Sequence, residues 1–327
     1  MGSASKVKIY GAGGNMIFGQ KTRGNGGYFQ FDAPVNFNGG LKGMFAPLGR
    51  FLFVLKATGN DGNDGLSWAT AYKTIGAALA HANKYDTIVI GFGVYDAETL
   101  PLNITADGQK ILGVMTSGHQ WGQPSIKALS TLSIMTTNSP NIGPEIAFLS
   151  IYTAGAACGI EVGTTANTWR THIHDVHFAG YGSGLWGVIM GNTTASGRGH
   201  SATIDAPSTI VEDCYFDQWK AGSIHFNCGG GSVVRRCVIV VETALSGINY
   251  YTDSTSRPFA SILDNKFITL DSTNAVGITV DNTPTAGYLL IDGNHFANFA
   301  ADDNHAVSKR AGYMGLNYRG VTVVAVS

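Results

Sequence analysis

The chain has 327 residues, 44% hydrophobic and 13% charged, with a formal net charge of −1. That balance leaves no basic field for nucleic acid, and the longest apolar runs, such as 51–55 and 87–90, are far too short to span a bilayer. Charge at about half the usual share gives a long, weakly charged surface, for which cover by sister subunits or a larger particle is expected.

Residues 1–50 are Gly-rich (GAGGN, RGNGG, NGGLKG) yet carry Tyr10, Phe18, Tyr28, Phe29, Phe31, Phe37 and Phe45. Disordered linkers have few aromatics. The segment therefore reads as an extended attachment arm or as a small β cap on one end of the fold. A strand at 51–55 comes next. The polar turn 57–65 has the composition of a calcium loop, but its ligand spacing is wrong and the closing Glu is missing, so no metal is expected there. Ser67 is a candidate N-cap for an Ala-rich stretch in which Tyr72, Ile75, Leu79 and Ala82 form an apolar stripe. A helix is predicted near 67–83, with His81 as a surface or cap residue. Residues 86–94 (DTIVIGFGV) read as a strand. Two further layers are expected around 102–104 with 110–114, and around 126–134.

From residue 146 to 299 one motif repeats six times: 146–151 (IAFLSI), 173–178 (IHDVHF), 211–216 (VEDCYF), 234–239 (VRRCVI), 262–267 (ILDNKF) and 291–296 (IDGNHF). Its ends, Ile151, Phe178, Phe216, Ile239, Phe267 and Phe296, are 27, 38, 23, 28 and 29 residues apart. Such spacing signals stacked coils. The first and last motif columns read as inward positions. Two residues before the last column stand Leu149, Val176, Cys214, Cys237, Asn265 and Asn294. Asn there suits a left-handed bend and a hydrogen bond to its equivalent on the next coil. A Gly-Ile or Gly-Val pair (159–160, 187–188, 247–248, 277–278) starts a second strand. A third strand is expected at 200–204 or 288–290. After Phe299 the motif stops; 300–312 is polar, and 321–326 (VTVVAV) is a last strand that closes the end or pairs with a partner.

The bend motif, the Gly-Ile strand starts and the run DGLSWATAYKTIGAAL…DTIVIGFGVY resemble the pectin-lyase-like right-handed parallel β-helix superfamily over about residues 51–300. The resemblance implies an all-β right-handed parallel β-helix with an N-terminal capping helix. It also implies three segments: the arm or cap 1–50, the solenoid 51–300, and a C-terminal cap or partner-contact strand 301–327. The four cysteines, Cys158, Cys214, Cys228 and Cys237, include no CxxC pair, so no zinc site is expected. Cys214 and Cys237 share a column on adjacent coils, about 4.8 Å apart by strand spacing. That distance permits a disulfide; in a chain folded in cytoplasm the pair reads as two buried thiols.

Two chemistries suit the family: hydrolysis by paired carboxylates about 5–9.5 Å apart, and lyase elimination with a basic group. Asp175, Glu212, Asp213, Arg235 and Arg236 should gather near one bend with His174 and His177, making Asp175, Glu212, Asp213 and Arg236 the catalytic candidates. The same alternation of sign is what stacking alone produces, because it avoids like charges on neighbouring coils. Trp186, Trp219, Tyr250 and Tyr251 are the candidate carbohydrate-stacking set, beside a long insertion at 191–206 that holds Arg198, His200 and Asp205. An inter-subunit contact favours the same aromatics.

The start, MGSASK, lacks the apolar core of a secretion signal. Together with the arm and the low charge, this is similar to phage β-helix proteins. It implies a non-enzymatic virion subunit of the head-decoration or tail-spike kind, homotrimeric, on the capsid surface or tail, and joined to other virion proteins through residues 1–50. The alternative is a polysaccharide depolymerase, extracellular or on a tail spike, and the third reading is a carbohydrate-binding adhesin. No cofactor, nucleic acid or membrane partner is expected.

Overall fold

The structure is a computed structural model. It describes residues 49–299 except the connecting segments 115–121, 129–131, 138–142, 154, 156–157, 164–166, 182–183, 192–205, 227–229, 242–245, 251–258, 270–274 and 281–287, and it adds the strands Tyr313–Met314, Asn317–Arg319 and Thr322–Val324. Of the arm or cap predicted at 1–50, residues 1–48 lie outside the described residues.

The described strands form three sheets, and the chain visits them in a fixed cycle. Sheet A starts at Phe51–Val54 and Thr87–Ile90, sheet B at Val94–Tyr95, and sheet C at Leu102–Ile104. Every pairing between neighbouring coils is parallel and in register. Ile146, Ile173, Val211, Val234, Ile262 and Ile291 stack in sheet A. Ile151, Phe178, Phe216, Ile239, Phe267 and Phe296 stack in sheet B. Both columns are buried. The aromatic members lie face to face, with Phe178 and Phe216 4.6 Å apart and Phe267 and Phe296 4.8 Å apart. The Gly-Ile column (Ile160, Val188, Ile224, Ile248, Ile278) lines sheet C. These three apolar columns run along the core, joined on sheet C by a second buried column that includes Val162, Met190, Tyr250 and Val280.

The third strand is not where the sequence placed it. The six-residue motif itself holds two strands, one in sheet A and one in sheet B, and the Gly-Ile strand is the third. Residues 288–290 belong to the sheet A strand Tyr288–Asp292; residues 200–204 lie outside the described residues. The motif breaks in two at a single left-handed residue: Phe148, Asp175, Asp213, Arg236, Asp264 and Gly293 all have φ between 52° and 68°. The left-handed position is therefore one residue before the Asn column, not in it. The Asn column still bonds between coils, as expected. Asn294 Oδ1 accepts from the backbone N–H and the side-chain amide of Asn265, both at 3.0 Å, and Asn265 Oδ1 accepts from Cys237 N at 2.9 Å. Cys214 and Cys237, in the same column, are buried free thiols.

A second left-handed column precedes the sheet A inner column by three residues: Tyr85, Gly108, Gly143, Arg170, Ser208 and Gly231, with φ from 58° to 82°. One regular corner on each side of sheet A keeps the coils in register, and the variation in length falls mainly in the connection from sheet C back to sheet A and in one A–B connection, 114–124.

The capping helix is shorter than predicted, Ile75–His81, and its N-cap is Thr74. Ser67 caps a separate 3-10 turn, Trp68–Thr70. The cause is Asp61 in the polar turn. Its carboxylate accepts from the N–H groups of Lys73 and Thr74 at 2.8 Å, so the chain is tied down between the two turns. Glu98 accepts from Ile75 N and Gly76 N, which satisfies helix donors that would otherwise lack partners. Ile75 and Ala78 then close the end of the core. At the other end, Thr322–Val324 pairs antiparallel with Asn317–Arg319 at the edge of sheet B.

Candidate functional site

Strand alternation puts the residues on either side of the sheet A inner column on its outer face. Lys110, Glu145 and His172 share one outer row, and His174, Glu212 and Arg235 share the other. The left-handed corner adds Asp175, Asp213 and Arg236. These side chains form two hydrogen-bonded groups across the coils, which meet where the His172 and His174 rings lie side by side. Glu212 meets His172 Nε2 at 2.7 Å and accepts from Arg235 Nε and Arg236 Nη2 at 2.5 and 2.7 Å. Arg236 also donates to Asp213 at 2.9 and 2.6 Å. His174 bridges Asp175 at 2.8 Å and Glu145 at 3.3 Å, and Glu145 pairs with Lys110.

Of the predicted group, the structure brings Glu212, Asp213, Arg235 and Arg236 together and links Asp175 to them only through His174, whose ring lies 4.3 Å from that of His172. His177 is not in the cluster. It is buried on the outer face of sheet B between Tyr152 and Tyr215, at 5.7 and 5.2 Å, where burial pulls its pKa below the usual imidazole value. Lys110, Glu145 and His172 were missed; their signal was the residue just before each first-column aliphatic.

Chemically, the cluster is a zipper of opposed charges. Burial alone would raise the Glu212 pKa, but hydrogen bonds from Arg235, His172 and Arg236 outweigh it and bring it down to about 2. The Arg236 guanidinium, bonded to Asp213 and Glu212, is held more firmly protonated than usual. Glycoside hydrolysis needs a carboxylic acid with a raised pKa to protonate the leaving group. Glu212 is shifted the opposite way, and Arg236 is held in its protonated form.

The aromatic set is overturned for its three described members. Trp186, Trp219 and Tyr250 are 6%, 3% and 0% exposed. Tyr250 falls two residues after Ile248 on the inner face of sheet C, as period-two alternation requires. Trp219 folds back into the core and donates its indole N–H to Phe178 O. Trp186 packs with Cys158 and Ile189, 4.9 Å from His225. Burial pushes the Cys158 thiol up to about 12. Tyr251, Arg198, His200 and Asp205 lie outside the described residues. Among the aromatics that do reach the surface, Tyr181, 55% exposed, and half-buried Tyr152 and Tyr215 gather on the outer side of sheet B.

Sheet C carries a third outer row, which sequence reasoning also missed: Asn103, Thr136, Glu161, Ile189, His225, Asn249 and Thr279. Thr136 donates to Asn103, Ser133 to Glu161, and Ser246 bonds Thr279. Ile189 and His225 close the middle of the row, while Asn103, Glu161, Asn249 and Thr279 stay at least partly accessible. Beside its first member, a pocket of about 510 Å³ opens between the capping helix and residues 97–105, lined by Asp61, Thr74, Glu98, Thr99, Asn103 and Thr105 among others. Among the described residues, no group of three His, Cys, Asp or Glu is placed to hold a metal.

No protein-family model matches the chain, and no curated protein matches its sequence. Solved structures do match in shape. Pectin methylesterase PemA from Erwinia chrysanthemi superposes with a TM-score of 0.55 at 14% identity, over 84% of this chain and 90% of that one. A rhamnogalacturonan lyase gives 0.53 at 11% identity, over 78% and 75%. A pectin methylesterase in complex with a hexasaccharide gives 0.52 at 13%, over 84% and 90%. At these identities the likeness is one of fold. With three sheets, in-register columns and one left-handed residue at each A–B corner, the chain has the right-handed parallel β-helix fold that these structures share.

Proposed function

We propose that this protein acts on an extended polysaccharide laid along the outer face of sheet C. One observation carries the reading: in six coils the A–B corner is two residues, one of them left-handed, while both connections flanking sheet C run longer and the one leading back to sheet A varies widely in length, from 105–109 to 191–209. Variable connections on a rigid scaffold are where binding groups concentrate. Between them lies a row rich in hydroxyl, amide and carboxylate groups, suited to sugar hydroxyls, and the pocket beside Asn103 continues it. Structural neighbours named for pectin and rhamnogalacturonan chemistry support the substrate class. The described part of the row holds one carboxylate, Glu161, rather than the pair that hydrolysis requires. Glycan binding is accordingly the core of the reading, and cleavage is measured beside it.

The test incubates the full chain with neutral and uronate-containing polysaccharides, scoring binding, new reducing ends and unsaturated products. Binding that weakens in Glu161→Gln supports the reading. New reducing ends without unsaturation would mark a hydrolase, and new reducing ends matched by unsaturated ends a lyase. A panel that is neither bound nor cut ends the proposal.

A second reading, a homotrimeric virion subunit, is favoured by the cluster of exposed apolar residues at the start of the solenoid: Phe51, Trp68, Phe92 and Val94 are 42–57% exposed. Such a surface suits a partner protein. A monomer by light scattering that stays unchanged from micromolar to hundreds of micromolar would remove it. The two readings are compatible, since a particle-borne spike also needs a glycan-binding face.

A further inference from the structure

The outer face of sheet B carries a feature that core packing does not account for. Tyr181 sits in the B–C connection with φ of 41°. The ring is not spent on the core, being 55% exposed. It lies 5.7 Å from the Tyr152 ring at an interplanar angle of 32°. Tyr152 and Tyr215 are in turn propped by the buried His177 ring, which meets each edge-on at 78° and 69°. His177 pairs directly with Tyr215 and Ser150 on the adjacent coils. The three tyrosines thus form a ridge along the solenoid axis, stiffened from beneath.

The ridge has polar flanks. Lys127, exposed, pairs with Tyr152 one coil toward the N-terminus. Asp217, half-buried, lies one coil beyond Ala179, the residue paired with Tyr152 on the other side. Burial raises the Asp217 pKa, offset in part by the Gln218 N–H. Rigid ring faces, phenolic hydroxyls and one charge of each sign at the ends suit a ligand with an apolar face and a hydroxyl rim. A pyranose has that build; an apolar protein surface does not.

We infer that Tyr152, Tyr181 and Tyr215, flanked by Lys127 and Asp217, form a second carbohydrate-binding site, on the outer face of sheet B, which takes a pyranose oligosaccharide by stacking. The inference rests on the proposed glycan function and deepens it. The sites lie on different sheets, so a long chain engaging both would be held by two contacts, with the gain in avidity that brings.

The test uses the full chain on an array of neutral and uronate-containing oligosaccharides, with affinities of the positives measured by calorimetry. Tyr181→Ala should weaken binding about tenfold, the loss of one good aromatic contact. Tyr181→Phe should hold within about twofold, because the ring face remains. Tyr152→Ala should weaken binding as Tyr181→Ala does, with circular dichroism checking the fold of each variant. Asp217→Asn should shift selectivity among the oligosaccharides. Wild-type-like affinity in Tyr181→Ala and Tyr152→Ala, with binding still sensitive to Glu161→Gln, overturns this site and leaves the sheet C reading standing. No binding by the native chain overturns both. Loss of a native oligomer in Tyr181→Ala makes the ridge a subunit contact and also overturns the site.

Discussion

At the scale of single residues, the two kinds of glycine in this solenoid do different work. Gly143 has φ of 73°, and a Cβ there would meet nothing within 4 Å. Gly187 lies in the sheet C strand Trp186–Met190, and a Cβ there would come 2.7 Å from the Phe216 ring and 2.8 Å from Ser223 O. Gly143→Ala should therefore cost about 1–2 kcal/mol through backbone strain alone, and Gly143→Asn should recover part of that, since Asn tolerates the left-handed region. Gly187→Ala should cost about 1–3 kcal/mol by overpacking, and Gly187→Asn should be worse still. Urea unfolding of the four variants checks this; equal behaviour of the two Asn variants would refute the distinction.

Glu212 gives a pH-dependent prediction. Its folded pKa of about 2 lies below the ordinary 4.5, so on acidification the unfolded chain takes up the proton first. Its contribution is complete above pH 4.5 and is lost as pH falls toward 2. The gap in urea midpoint between the native chain and Glu212→Gln should accordingly be open at pH 6 and close near pH 2. A gap that does not change with pH would show that the charged zipper adds no pH-dependent stability. The charges of this zipper were legible in the sequence as the residues Asp175, Glu212, Asp213, Arg235 and Arg236, because the repeat register assigns each to a row. Whether they form a reactive pair or a braced ladder was not legible. That depends on which nitrogen each oxygen meets, and so on side-chain geometry.

At the scale of elements, the Asn column and the capping helix carry separate predictions. Asn294→Ala removes the acceptor of two Asn265 donors in a buried site. Leaving them unpaired should cost about 1–3 kcal/mol, seen as a lower thermal midpoint. Thr74→Ala removes the cap that accepts from Ala77 N and should cost about 1 kcal/mol. Ser67→Ala should leave the helix itself intact, with circular dichroism separating the two cases. The helix was visible in sequence as an apolar stripe after a capping residue. Its true start was not, because Asp61, thirteen residues before Thr74, holds that corner. A contact between separate turns has no local signature.

At the scale of the whole molecule, the strands of each coil pair only with those of the neighbouring coils, so damage should stay local. Phe216→Ala should cost about 3–5 kcal/mol. It should raise amide exchange most in the adjoining strands His177–Ala179 and Val238–Val241, with Phe51–Val54 least affected. Uniform exchange along the chain would mean that the solenoid unfolds as one unit.

The sequence by itself determined the architecture, because a repeated register is a linear property. Period-two alternation decides which side chains face inward, and six copies of one motif decide that inward positions stack. It also determined that Asn265 and Asn294 bond across coils, since a column of like side chains can satisfy itself. Only the tertiary structure decided where the left-handed corner falls, since Asp, Arg, Phe and Gly all occupy it and no residue type marks it. It likewise decided that Trp186, Trp219 and Tyr250 are buried while Tyr181 stands in solvent. An aromatic side chain carries the same hydrophobicity in either place, and the parity of its strand and the path of its connection settle which it takes.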